Sequence, residues 1–228
     1  TFAGRARAAA PDDAAPRALS SDALDVRRLH LQLPALPGFY RREPFAPGDL
    51  GYVPKRARLR PNNCVVPLVG GREAFPAMLE AIAEAKREIC LEMYWFDSDE
   101  VGRRFADALM ERAKAGVTVR VIYDAIGSLG VDEKMHEEMQ AAGIDVREYN
   151  PLAPWRKRYR FGVANNRDHR KILVVDKHVA ITGGINIAKQ WAPVAEGGGA
   201  WRDDMVRIDG PSALTLRAVF FDTWGLLG

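Results

Sequence analysis

The sequence predicts an α/β domain of layered architecture with a mixed, largely parallel central sheet, preceded by an irregular N-terminal arm. Three observations predict it. Strand-like and helix-like hydrophobic periods alternate from Asn62 onward. Two short β-like segments, Lys171–Val175 and Val179–Thr182, stand close enough to form a hairpin around Asp176, Lys177 and His178. Before Asn62 neither period persists, and Pro34, Pro37, Pro44, Pro47, Pro54 and Pro61 keep interrupting the chain. The expected division is therefore an arm over 1–62 and a single lobe over 63–228.

Within the lobe, Cys64–Val69 is a short apolar stretch closed by Gly70 and Gly71. Phe75, Met78, Leu79, Ile82 and Ile89 follow helical spacing. A strand is expected from near Ile89 through Phe96. Asp99 is placed to cap a helix with Val101, Phe105, Ala108 and Leu109 on its apolar stripe and Gly116 at its end. Val117–Tyr123 reads as a strand, Met135 and Met139 mark a helix ended by Gly143, and Ile144–Tyr149 reads as another strand. A long loop runs from Asn150 to about Asp168, a Gly-rich loop covers 197–199, and Trp201–Ile208 reads as a strand. Pro211 opens a final helix, where a missing N–H costs nothing.

Length and composition suit one substantial domain: 228 residues, 47% hydrophobic and 28% charged. The start at Thr1 and the abrupt close at Gly228 are read as signs of a processed or truncated chain. Two cysteines, Cys64 and Cys90, are too few for a disulfide framework and suit no zinc site; both are expected to be buried or half-buried thiols. No apolar run approaches the ~18 residues a spanning helix needs, so any membrane contact is expected at the surface. Residues 1–62 hold 11 Lys/Arg against 6 Asp/Glu, whereas residues 63–228 hold 22 against 24, giving +5 and −2. The lobe is thus not a basic body, which counts against nucleic acid as its partner.

The chemistry concentrates in His169-Arg170-Lys171-Ile172-Leu173-Val174-Val175-Asp176, followed by Gly183-Gly184-Ile185-Asn186. On a strand, side chains two apart face the same side, so His169 and Lys171 share one patch. Two glycines allow close backbone approach, and Asn186 adds an amide donor. Imidazole, ammonium, backbone N–H and amide together suit a phosphate or phosphodiester.

This pattern resembles the phospholipase D superfamily, whose signature is His-x-Lys-x4-Asp followed by a Gly-Gly or Gly-Ser step and an Asn. Further likeness, to the first of the two lobes of bacterial cardiolipin synthases, lies in Val69-Gly70-Gly71, Tyr123–Ser128, Asn165–Lys171, Trp201-Arg202-Asp203 and Gly210-Pro211 with Phe220 and Trp224. The resemblance implies a phospholipase D-like α/β/α lobe and two-step phosphatidyl transfer through a phosphohistidine, with one His as nucleophile and a second as acid. It implies roles for His169, Lys171, Asp176, Asn186 and Asp203, with Gly183, Gly184 and Asn186 at the substrate phosphate. Asp203 would fix the His169 tautomer; Asp176 would organise the hairpin and the lysine. No metal or other cofactor is required.

The family needs two such motifs and this chain holds one, so the implied partner is a second catalytic lobe, in the same chain or in a dimer partner. The remaining implied partners are phospholipid substrates and a peripheral membrane surface, here the bacterial inner membrane. The readings kept open are a hydrolase or dimeric nuclease of the same superfamily, and a non-catalytic lipid-binding lobe. Trp155–Phe161 interleaves cations and aromatics and suits a headgroup layer, a nucleic-acid backbone or a solvated loop alike. Met78, Met135 and Met139 are expected in the core. His178 is expected to be incidental to its turn, and Asp124 could line a pocket at a strand end.

Overall fold

The computed structural model of the chain describes residues 62–152, 167–199 and 201–227. The arm expected over 1–62 and the Trp155–Phe161 segment fall outside the described residues, Asn62 apart. The lobe is built in the order β1 (Cys64–Val69), α1 (Gly70–Glu84), β2 (Glu88–Met93), α2 (Glu100–Lys114), β3 (Thr118–Asp124), α3 (Glu133–Ala141), β4 (Asp145–Tyr149), β5 (Lys171–Val175), β6 (Val179–Gly183), β7 (Asp204–Asp209) and α4 (Ala213–Leu226).

The strands form one seven-stranded sheet in the order β1-β7-β6-β5-β2-β3-β4. The sheet is mixed, as expected, but the expectation that it is largely parallel is corrected. Among the described strands only β2–β3 and β3–β4 are parallel, and the other four pairings are antiparallel. Parallel neighbours need a crossover helix, and the strand–helix alternation that supplies one stops at β4. From there β5 and β6 form the expected hairpin, turned by Asp176 and Lys177 at φ 50° and 64°.

Side-chain alternation sorts the core onto the two faces. Ile89, Leu91, Val119, Val121, Leu173 and Val175 pack with Phe75, Met78, Phe105, Met135 and Met139 from α1, α2 and α3. Cys90, Ile122, Ile172 and Val174 pack on the other face with Phe220 and Trp224 of α4. The result is the expected α/β/α layering. Asp99 caps α2 by accepting from the N–H groups of Val101 and Gly102. Two strands prove shorter than expected: β2 stops at Met93, and β7 starts only at Asp204. Cys90 is buried as expected, but Cys64 is exposed on the outermost strand.

Asp176 lies at the end of β5 opposite Lys171. Five residues of strand separate the two ends by roughly 16 Å. Its carboxylate accepts from the N–H groups of Lys86 (2.8 Å), Arg87 (2.8 Å) and Glu88 (2.9 Å), tying the hairpin turn to the start of β2. Its placement among catalytic residues is therefore corrected, as is the idea that it organises the lysine. Burial alone would raise its pKa, but those backbone donors outweigh it and hold the carboxyl below its ordinary value. The stability it contributes is thus present at neutral pH and lost as pH falls through the lowered value. Asp176→Ala is expected to destabilise by about 3 kcal/mol, a drop in Tm on the order of 10 °C, and to lessen this acid-side loss, as thermal melts across pH would show.

Candidate active site

Register brings one set of strand ends to a single edge. Met93 of β2 pairs Lys171 of β5, Gly183 of β6 pairs Met205 of β7, and Val69 of β1 pairs Asp204. The carboxyl ends of the parallel strands β2, β3 and β4 therefore meet the amino end of β5, where open α/β sheets place their ligands.

Lys171 projects on the α1–α3 face with Leu173 and Val175, and only 2% of it is exposed. Its Nζ donates to the His169 carbonyl at 2.8 Å and stands 5.0 Å from the centre of the Tyr94 ring. His169, exposed in the extended segment before β5, packs its imidazole on the same ring at 4.6 Å between centroids. The structure thus brings His169 and Lys171 together on Tyr94, at the open edge of the sheet. Burial lowers the Lys171 ammonium to about 8, against the pull of Asp168, Asp203 and Asp124.

Asn186 is buried, and its Oδ1 accepts from Trp95 N at 3.1 Å. Since that partner can only donate, the amide Nδ2 faces the other way. Asp203 also reaches this edge and acts on Lys171 through its charge. Its Oδ1 accepts from Asp204 N at 2.8 Å, and among the described residues no hydrogen bond joins it to the His169 ring.

Both glycines are needed for close packing within the protein. A Cβ on Gly183 would lie 2.3 Å from the Asp204 carbonyl oxygen, and one on Gly184 within 2.0–2.2 Å of the Asp203 carboxylate. Gly184 N donates to the Asp204 carbonyl at 3.0 Å. Gly184→Ala should therefore displace Asp203, an exposed side chain held by one bond from Asp204 N, with little cost to the fold. Steady-state assays of the full-length protein should show at least about a tenfold loss of kcat at nearly constant Tm.

Asp124 is buried, with its carboxylate taken up within the protein. It is 1% exposed and accepts from the N–H groups of Ile126, Gly127 and Asp168, with Arg167 3.2 Å away. His178 sits in the hairpin turn, away from this edge.

Sequence reasoning missed Tyr94, read there as a continuation of β2, although it is the surface shared by both motif side chains. It also missed three indoles in mutual edge contact. Trp95, Trp191 and Trp201 lie 5.1–6.4 Å apart, with Trp201 55% exposed. A third omission is the contact of Glu92 with Asp168 and Arg170 behind the motif, signalled only by acids in an otherwise apolar strand.

Comparison with known proteins identifies the family. The family described as "Cardiolipin synthase, PLD-like domain" matches residues 78–196. Cardiolipin synthase 1 of Bacillus cereus is 35% identical over 158 residues, covering 69% of this chain and 30% of its own length. The major cardiolipin synthase ClsA of Bacillus subtilis is 32% identical over 191 residues, covering 82% and 39%. The chain thus spans well under half the length of these curated relatives. Among solved structures, the phospholipase D family member Nuc from Salmonella typhimurium superposes with a TM-score of 0.55 at 22% identity, over 72% of this chain and 95% of that one. That likeness bears on the fold alone. With the motif, the layered fold and the family match in agreement, the chain belongs to the PLD-like domain family of cardiolipin synthases.

Proposed function

We propose that residues 63–228 form the first catalytic lobe of a phosphatidyltransferase that makes cardiolipin-type lipids. The observation that carries this reading is the pairing of the His169 imidazole with the desolvated Lys171 ammonium on Tyr94, within a chain of the cardiolipin synthase family. A phosphodiester at this edge would meet a neutral imidazole as nucleophile or an imidazolium as acid, a cation for its equatorial oxygens, and the Asn186 amide.

In the first step an imidazole nitrogen bonds to phosphorus while the P–O bond to the leaving alkoxide breaks. A second imidazole protonates that alkoxide. The acceptor hydroxyl then gives its proton to the second imidazole and displaces the first from phosphorus. The second imidazole comes from another lobe, in the same chain or in a dimer partner. Peripheral attachment to the bacterial inner membrane belongs to the same reading. It is supported by the exposed Trp201 at the edge of the indole group, since indoles favour the membrane–water interface. Among the described residues no helix is long and apolar enough to cross a membrane.

The test is product analysis. Full-length protein given phosphatidylglycerol should yield cardiolipin and glycerol in equal amounts. Phosphatidic acid as the main product would assign it to the hydrolases, and turnover of neither lipid would remove the proposal.

A further inference from the structure

Behind the motif, on the α4 face, two carboxyl groups meet over one guanidinium. Glu92 is 1% exposed and Asp168 6%. Glu92 Oε1 lies 3.1 Å from Arg170 Nε and accepts from Thr223 Oγ1 at 2.9 Å, while Asp168 Oδ1 lies 2.9 Å from the same Nε. The remaining oxygens, Glu92 Oε2 and Asp168 Oδ2, are buried and have no hydrogen-bond partner among the described residues. The two carboxyls thus stand side by side on the same guanidinium nitrogen, where each acts on the other's charge.

Two buried carboxylates set against one guanidinium cannot both ionise without strong repulsion, whereas a proton held between them would satisfy both orphaned oxygens. The same pair anchors the segment that carries His169. Asp168 Oδ1 accepts from Arg170 N at 3.2 Å, and Asp168 N donates to Asp124 at 3.0 Å, clamping the chain on both sides of residue 169.

We infer that Glu92 and Asp168 share a single proton and that this acid–carboxylate pair, closed by Arg170, is the positioning device that holds His169 at the active edge. The inference rests on the catalytic reading of His169. The groups facing the pair are Arg167, Arg170 and Lys171 on its own segment, Thr223 on α4, Tyr149 at the end of β4, and Asp124 at the end of β3. One shared proton leaves a single negative charge opposite Arg170; its loss leaves two against one guanidinium. Burial, reinforced by Asp168, raises the Glu92 carboxyl well above the usual carboxylate range. Burial would also raise Asp168, but the hydrogen bonds from Glu92 and Arg170 outweigh it and hold Asp168 low. A raised folded value means that Glu92 favours the folded site at low pH and loses that contribution as pH climbs through it.

The experiment pairs Glu92→Gln, whose amide N–H replaces the acid proton without titrating, with Glu92→Ala, which removes the donor. Infrared difference spectra at neutral pH should show a protonated-carboxyl carbonyl band in the wild type that Glu92→Gln lacks. In the full-length protein, Glu92→Ala should lower kcat about 10²-fold with little change in KM. Glu92→Gln should keep near wild-type turnover and lose part of the alkaline decline. Lys171 titrates in both proteins, so the difference between their profiles isolates Glu92. Absence of the band in the wild type overturns the shared proton. Equal damage from Gln and Ala, or none from Ala, overturns the positioning role. Should Glu92→Ala not fold, the band and the Glu92→Gln profile still decide the matter. Turnover surviving His169→Ala would instead defeat the catalytic reading while leaving the band in place.

Discussion

His169→Ala in the full-length protein is expected to lower phosphatidyl transfer by ~10⁴-fold or more while leaving Tm nearly unchanged. The imidazole is exposed, so removing it creates no cavity and orphans no buried partner. It would remove the nucleophile or the general acid, whichever role His169 has, and both steps of transfer need both. Loss of either group stops the cycle, so the deficit should appear in kcat rather than in KM. Product counting from phosphatidylglycerol, with a thermal melt beside it, checks both halves. Turnover within tenfold of the wild type would contradict the role assigned to His169.

The second large effect concerns Lys171. Lys171→Met keeps the length of the buried stem and removes the charge. It is expected to lower kcat about 10²–10³-fold, the scale seen when one donor to a developing negative charge is lost. Tm should hold or rise, because a desolvated cation with one hydrogen bond among the described residues is replaced by an apolar group. Burial has lowered the ammonium to about 8, below its ordinary value. The site therefore carries its cation below that pH and loses it above. Binding of dimethyl phosphate, whose charge is constant over this range, should weaken as pH rises through about 8 in the wild type and stay flat in Lys171→Met. The linked stability runs the other way. A depressed folded value favours folding at high pH, and that contribution is lost as pH falls through the lowered value. Calorimetric titration and melts at matched pH measure the two trends separately.

Much of this site was legible in the sequence because its central pair obeys a local rule. His169 and Lys171 stand two apart at the mouth of an apolar strand, and a period of two puts them on one side. The same rule explains the error over Asp176. It belongs to the same run of sequence, but the strand carries it to the far end of the sheet, where it meets the backbone of Lys86–Glu88. Neighbours in a motif need not be neighbours in space. Capping by Asp99 and the 176–178 turn were readable for similar local reasons. Strand direction after β4 was not, because the return of β7 and β1 depends on pairings far apart in sequence. Tyr94 and the Glu92–Asp168 contact were hidden likewise: nothing near residue 92 announces that residue 168 will lie against it.

Catalysis at this edge requires a phosphorus centre seated between His169 and Lys171, and an anion-bound crystal structure tests that placement most directly. Crystals soaked in tungstate, a tetrahedral stand-in for the phosphoryl group, should show the anion at the Tyr94 edge within hydrogen-bonding distance of the His169 ring, Lys171 Nζ and Asn186 Nδ2. Tungstate seated instead at the opposite end of the sheet, in the cavity of about 560 Å³ beside Lys86, Arg112 and His178, with the Tyr94 edge empty, would contradict it.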